Sequence, residues 1–160
     1  MFSVGDMVVH PLHGAGTIEA ITQERLVGEL GWYYVFRMPA GGLTLKIPTE
    51  NCGAVGLRDL LSPEKMEELL QRIPALDAEM TNNWNRRYRE NMEKLKSGDL
   101  IEVARVIKGL ALREARHGLS TGERKMLHNA KQVLLSELAL VKELTYEAAE
   151  LLLQTVIMES

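Results

Sequence analysis

The chain has 160 residues, of which 46% are hydrophobic and 26% charged, a balance typical of a globular protein rather than a disordered one. That length accommodates one ordinary domain or two small ones. The single cysteine, Cys52, excludes an intramolecular disulfide and a cysteine metal cluster. The first residues lack a signal-peptide pattern, and apolar runs such as 151–153 are far shorter than the ~20 residues that span a bilayer. We therefore expect a cytoplasmic protein with no membrane partner.

The formal net charge of −3 is unevenly distributed along the chain. Residues 1–80 hold 6 Lys or Arg and 11 Asp or Glu, a net of −5. Residues 81–141 hold 12 and 7, a net of +5, and residues 142–160 hold 1 and 4, a net of −3. A basic centre between acidic ends can contact phosphate locally without strong non-specific DNA binding. A solvated, Arg-rich helical surface would explain the same charges.

Residues 1–57 carry strand signals. Short runs that alternate, or that are aromatic and β-branched, predict strands at 7–10, 17–22, 32–38 and 43–48. Glycine and proline predict turns at 13–16, 28–31 and 39–42. Several short strands with tight turns indicate a small, partly open antiparallel β-barrel of the SH3 or Tudor type. A barrel this small leaves an edge strand that can pair with a strand of a partner.

The pattern becomes helical from Ser62. Ser62 and Pro63 predict a helix that reaches about Arg72, and we expect 73–81 to be a linker. Capping residues and glycines predict four more helices, at about 84–97, 100–116, 121–144 and 145–158. The chain is therefore predicted to be α+β. Its predicted domains are a Tudor-like domain (1–57), a connecting helix and linker (58–80) and a compact helical domain (81–160).

Candidate catalytic and metal sites are weak. His10 and His13 are three residues apart in a turn without an acidic or cysteine ligand nearby in sequence, and His117 and His128 fall in different predicted helices. The sequence contains no nucleophile elbow, no phosphate-binding loop and no HExxH motif. We therefore predict that the protein is not an enzyme, and that it has no cofactor, no metal and no small-molecule substrate.

Trp84 stands at the start of a predicted helix, with arginines two, three and five residues after it. Its helical spacing with Tyr88, with Met92 or Asn91, and with Leu95 favours a core position. Its place in the first turn allows a second interpretation, because a tryptophan there is easily left exposed. Apolar side chains inserted at base steps unstack and kink DNA, while neighbouring arginines hold phosphates.

Two blocks of sequence resemble the CarD family of bacterial transcription regulators over nearly the whole chain. The first block comprises residues 2–11, 13–14, 43–48 and 51–58. It also resembles the polymerase-interacting module of transcription-repair coupling factors. The second, more specific block comprises Asn83-Trp84-Asn85-Arg86-Arg87-Tyr88, residues 92–95, 97–99 and 103–104, and Gly118-Leu119-Ser120-Thr121-Gly122-Glu123-Arg124-Lys125-Met126-Leu127.

The resemblance implies that the Tudor-like domain pairs its edge with the N-terminal lobe region of the RNA polymerase β subunit. It implies that a tryptophan of the helical domain wedges into the minor groove of promoter DNA at the upstream edge of the melted bubble, which prolongs the open complex. By matching positions, the wedge is Trp84, and the phosphate contacts are Arg86, Arg87, Arg89, Arg124 and Lys125. The polymerase contacts are Arg25, Leu26 and Lys46.

The chain departs from the family pattern at three positions. Glu24 stands where many members have a basic residue, Lys46 where some have arginine, and His10 where tyrosine is common. The first two alter the expected polymerase contact, since lysine lacks the planar two-pronged donor of arginine. An adaptor that binds polymerase without touching DNA is the alternative function.

Overall fold

The computed structural model of the protein describes residues 1–26, 28–38, 42–51 and 56–158. The chain divides into two compact units, Met1–Leu60 and Leu61–Ser160, which we call the sheet unit and the helical unit. The first contains an antiparallel sheet of five strands, and the second contains five α-helices among the described residues. The predicted α+β class, with strands first and helices after them, is confirmed.

The sheet unit has the strand order β4-β3-β2-β1-β5. The strands are β1 (Met7–His10), β2 (Gly14–Leu26), β3 (Glu29–Arg37), β4 (Thr44–Pro48) and β5 (Arg58–Asp59). The prediction of a break across 28–31 is wrong in extent, because Gly31 lies inside β3. Cys52 and most of the predicted turn at 39–42 lie outside the described residues.

The core of the sheet unit lies under the middle of the sheet. Its buried members are Val8, Ile18, Tyr34, Phe36, Met38, Ile47 and Leu57. Gly16 permits this packing, since a Cβ there would approach Arg37 O to 2.5 Å and the Phe36 ring to 2.7 Å. A bulge between Ile18 and Ala20 shifts the register of β2 against β3, and β2 extends beyond the predicted strand 17–22 at both ends.

The helical unit begins with α1 (Pro63–Arg72), followed by α2 (Trp84–Lys96), α3 (Leu100–His117), α4 (Thr121–Lys142) and α5 (Tyr146–Met158). Each of the first four begins at a side-chain cap that accepts a backbone N–H: Ser62, Asn83, Asp99 and Ser120. The predicted helix starts are thus reproduced within a residue or two. The main core includes Met66, Leu69, Leu70 and Ile73 of α1 and the turn after it, packed with residues of the later helices.

The segment predicted to be a linker, 73–81, is fastened to the helical unit. Lys108 of α3 is buried, and its Nζ donates hydrogen bonds of 2.9 Å to the carbonyls of Ile73, Pro74 and Leu76. Burial lowers the pKa of Lys108. Arg105 donates a further bond of 2.7 Å to Asp77 O. These bonds give the chain that leads to Trp84 a fixed course along α3.

Candidate nucleic-acid interface

Trp84 is the first residue of α2 and is 42% exposed, so it is not part of the buried core. Its ring stacks on Tyr88, one helical turn later, with centroids 5.1 Å apart and planes inclined by 17°. The indole Nε1 donates a hydrogen bond of 3.0 Å to Ser120 Oγ. The indole therefore combines an accessible ring with a fixed orientation.

Ser120 links Trp84 to the first turn of α4. Its Oγ accepts the backbone N–H of Glu123 at 3.2 Å, as an N-cap, and donates to Glu123 Oε1 at 3.3 Å. Gly122 lies below the two stacked rings, where an added Cβ would lie 3.8 Å from Tyr88 and 3.9 Å from Trp84. The N-terminal ends of α2 and α4 thus meet at the indole.

Arg87 is buried, at 4% exposure, beside Glu123, at 1%. The two form a two-pronged pair, with Nε to Oε2 at 2.7 Å and Nη2 to Oε1 at 3.0 Å, and Nη1 donates to Thr81 O at 3.1 Å. The hydrogen bond from Arg87 lowers the pKa of Glu123, and the bond to Glu123 raises the pKa of Arg87. Burial and the use of three of its five N–H donors inside the protein argue against the expected contact of Arg87 with phosphate.

The other predicted phosphate contacts are on the surface, in two groups. Arg86 and Arg89 are exposed on α2, and Arg86 Nε forms an i,i+4 ion pair with Glu90 at 2.8 Å. Arg124 and Lys125 are exposed in the first turns of α4, and Arg124 Nε lies 3.6 Å from Glu114 Oε2. Exposed pairs of this kind contribute little to stability.

The predicted polymerase contacts lie on the sheet unit. Lys46, on the edge strand β4, pairs with Glu24 of β2, and the hydrogen bond from Lys46 lowers the pKa of Glu24. Arg25 is exposed and donates to Gly28 O at 3.2 Å, and Leu26 ends β2. Because successive residues of a strand point to opposite faces, Arg25 and the Lys46–Glu24 pair lie on opposite faces of the sheet.

Both units match known sequence families. The family described as CarD-like/TRCF RID domain matches residues 2–61, and the family described as CarD, C-terminal domain matches residues 68–154. The chain belongs to the CarD family. A Bacillus subtilis (strain 168) protein, YdeB, whose name proposes it as a transcription factor, is 34% identical over 145 residues, which are 91% of this chain and 95% of that protein. The family is one of transcription regulators and not of enzymes.

The geometry gives a physical reason for two parts of the second sequence block, which marks the CarD family in this chain. The block around Trp84 supplies the indole, Tyr88 and Arg87, and the block around Ser120 supplies the cap, the small residue under the rings and the buried carboxylate. The sequence assigns Ser120 and Glu123 to a helix start, and neither of them to the Trp84 site. The capping-box spacing was visible, but the Glu123 carboxylate turns to an arginine 36 positions away.

The CarD-family chain has two histidines close together in the sheet unit, His10 and His13, with ring centroids 4.6 Å apart. His10 Nδ1 accepts the backbone N–H of Leu12 at 3.0 Å, and burial, with a smaller contribution from His13, lowers the pKa of His10 to about 4.

Within the described residues, no group of three or more His, Cys, Asp or Glu side chains is arranged to hold a metal. Of the helices described, none has the length and apolar character to cross a bilayer.

Proposed function

We propose that this protein binds the RNA polymerase β subunit through its sheet unit and stabilises the promoter open complex by wedging Trp84 into the minor groove at the upstream edge of the bubble. The observation that carries the proposal is the placement of Trp84. The ring is 42% exposed at the start of a helix, yet its nitrogen and one of its faces are held by Ser120 and Tyr88.

A wedge functions best when it is rigid before DNA arrives, since ordering a side chain on binding costs free energy. The Ser120 bond and the Tyr88 stack supply that rigidity, and the Arg87–Glu123 pair holds the helix ends that carry them. Arg87 is therefore proposed as a positioning residue. Arg86, Arg89, Arg124 and Lys125 are the proposed phosphate contacts.

The sheet unit supports the proposal through its edge strand and its family. The RID domain class implies interaction with RNA polymerase, and the exposed edge β4 can add a strand to a partner's sheet. Tethering to polymerase raises the effective concentration of the tip near one stretch of DNA. A few charge contacts then suffice, and a stabilisation of about 1.4 kcal/mol shifts the open-complex equilibrium roughly tenfold.

The test is Trp84→Ala, with Leu151→Ala as the control, because Leu151 is an exposed apolar residue of the same unit. We expect Trp84→Ala to shorten the open-complex lifetime about tenfold, with polymerase binding unchanged and a melting temperature close to that of the parent. Leu151→Ala should leave the lifetime unchanged. An unchanged lifetime with Trp84→Ala, beside intact polymerase binding, would support the adaptor function without DNA contact.

A further inference from the structure

The last turns of α3 carry two arginines and a histidine that lie outside the predicted DNA contacts. Arg113, Arg116 and His117 share one face of the helix, at i, i+3 and i+4 spacing. Three residues after His117, Ser120 receives the hydrogen bond from Trp84. On the other side of α3, Glu114 pairs with Arg124. The C-terminal end of α3 therefore lies at the same tip as the indole.

These three residues line one end of a groove of about 580 Å³ between α3 and the segment that leads to Trp84. Asn82, two residues before Trp84, lines the opposite wall, and its Oδ1 lies 3.5 Å from Arg113 Nη1. Asp77 and Glu79 also line the groove, earlier along that segment. The cationic end of the groove is thus the end beside the indole.

The partners of these arginines differ from those of three neighbouring arginines. Arg86, Arg87 and Arg124 each have a carboxylate within ion-pair distance. Arg113 has a long contact with a neutral amide, and Arg116 makes no ion pair with any residue that the structure describes. Arg116, like Arg89 and Lys125, thus has no carboxylate partner among the described residues, whereas the charge of Arg113 also acts on the Glu123 carboxylate and helps to lower its pKa. A helix C-terminus favours cations for its own dipole, which is the structural alternative.

We propose that Arg113 and Arg116 form a second phosphate-contact surface that binds the promoter DNA backbone on the α3 side of Trp84. This inference rests on the proposed function, because it takes DNA to lie over the indole. Guanidinium groups suit the role, since they stay charged and present planar, paired donors to phosphate oxygens. The side-chain amide of Asn82 and the ring of His117 add donors at the same end of the groove.

The experiment compares two double variants with the same change in net charge, both in the full chain. Arg113→Gln/Arg116→Gln removes the proposed surface. Arg72→Gln/Lys96→Gln removes two exposed cations from the ends of α1 and α2, away from Trp84. The open-complex lifetime with polymerase is measured over a series of salt concentrations. The salt slope is the slope of the logarithm of the lifetime against the logarithm of the salt concentration. We expect its magnitude to decrease by about 0.7–0.9 for each lost contact in the first variant, and to stay unchanged in the second.

Equal slopes for the two double variants would overturn the proposal. So would a lower melting temperature of Arg113→Gln/Arg116→Gln with an unchanged slope, which would assign the arginines to the helix dipole. Arg116→Gln alone serves as the milder variant, since Arg116 is exposed. A third outcome would also overturn the proposal. If inorganic pyrophosphate raises the melting temperature of the parent but not that of Arg113→Gln/Arg116→Gln, and the salt slopes are equal, the surface binds small phosphate compounds instead.

Trp84→Ala, measured in parallel, separates the two levels of inference. If Trp84→Ala shortens the lifetime and the arginine variants keep the parental slope, the second surface fails while the wedge stands. If Trp84→Ala has no effect on the lifetime, the proposed function fails.

Discussion

Each unit of the molecule has an ion pair next to a residue expected to bind a partner, and the two pairs differ in burial. Lys46 and Glu24 on the sheet unit have side chains 43% and 29% exposed, whereas Arg87 and Glu123 in the helical unit are 4% and 2% exposed. An exposed pair contributes little to stability and can exchange partners. A buried pair is costly to break. Lys46 is thus available for a partner, and Arg87 holds the structure.

The largest effect should come from breaking the buried pair. Arg87→Met leaves the Glu123 carboxylate buried without its main donor, and we expect a loss of about 3–5 kcal/mol in the free energy of unfolding. Arg86→Met, one residue earlier, removes an exposed pair and should cost at most about 0.5 kcal/mol. Urea unfolding of both variants gives the two values.

A double variant, Arg87→Met/Glu123→Leu, replaces the pair with apolar side chains and should recover most of the lost stability. If Arg87→Met and Arg86→Met instead cost the same, Arg87 would be a surface cation in solution, and its assignment as a phosphate contact would return.

The second effect is a difference between the two units in how their stability depends on pH. The lowered pKa of His10, about 4 against an ordinary value of 6.5, means that the unfolded chain binds a proton before the folded one. The sheet unit should therefore lose stability as the pH falls from 6.5 towards 4, by at most about 3 kcal/mol. Protonation also removes the acceptor of the Leu12 N–H. Glu123, whose folded pKa is lowered, keeps its contribution above the ordinary carboxylate range and loses it only at lower pH.

The chain has one tryptophan in each unit, Trp32 and Trp84. In Trp84→Phe the remaining Trp32 fluorescence reports on the sheet unit, and in Trp32→Phe the remaining Trp84 fluorescence reports on the helical unit. Between pH 6.5 and 4.5 the Trp32 signal should report a weakening of the sheet unit towards urea. His10→Asn, which keeps an acceptor for Leu12 N–H, should remove that pH dependence, and His128→Asn should not. An unaltered pH profile for His10→Asn would exclude His10 as its cause.

The smallest effect on stability should come from the exposed pair. Glu24→Gln and Lys46→Gln should each leave the free energy of unfolding nearly unchanged. Their effects on polymerase binding should be opposite, because Glu24→Gln releases Lys46 for the partner and Lys46→Gln removes it. Titration of a β-subunit N-terminal fragment measures both. Weaker binding by both variants would mean that the intact pair, rather than free Lys46, is what the polymerase recognises.

Local signals predicted much of the fold. Ser62 with Pro63, and Ser120 three residues before Glu123, located helix starts, and Gly98 and Gly118 located helix ends, because caps and left-handed turns depend on residues close in sequence. The length of β2 was underestimated, since the glycines at its start predict a turn and the alternation ends at Thr22, four residues before the strand does.

The site was predicted less completely, because its decisive contacts are distant in sequence. Helical spacing left Trp84 undecided between core and surface, and its exposure depends on Ser120 and Gly122 of another helix. Arg86 and Arg87 are alike in sequence, and only the position of Glu123 makes one a surface cation and the other a buried one. The sequence around Lys108 does not predict that its side chain donates hydrogen bonds to three carbonyls of the segment before Trp84.

The Lys108 contacts determine where the protein can be cut. A fragment that begins at residue 81 would retain Lys108 but lose all three carbonyls, and it would strip Met66, Leu69, Leu70 and Ile73 from the helical core. A fragment that begins at Leu61 keeps the core, the carbonyls and the fixed approach to Trp84 together. The smallest fragment that retains the contacts positioning Trp84 is therefore the entire helical unit. A fragment of α2 to α5 alone would contain the indole but not the contacts that fix the segment before it.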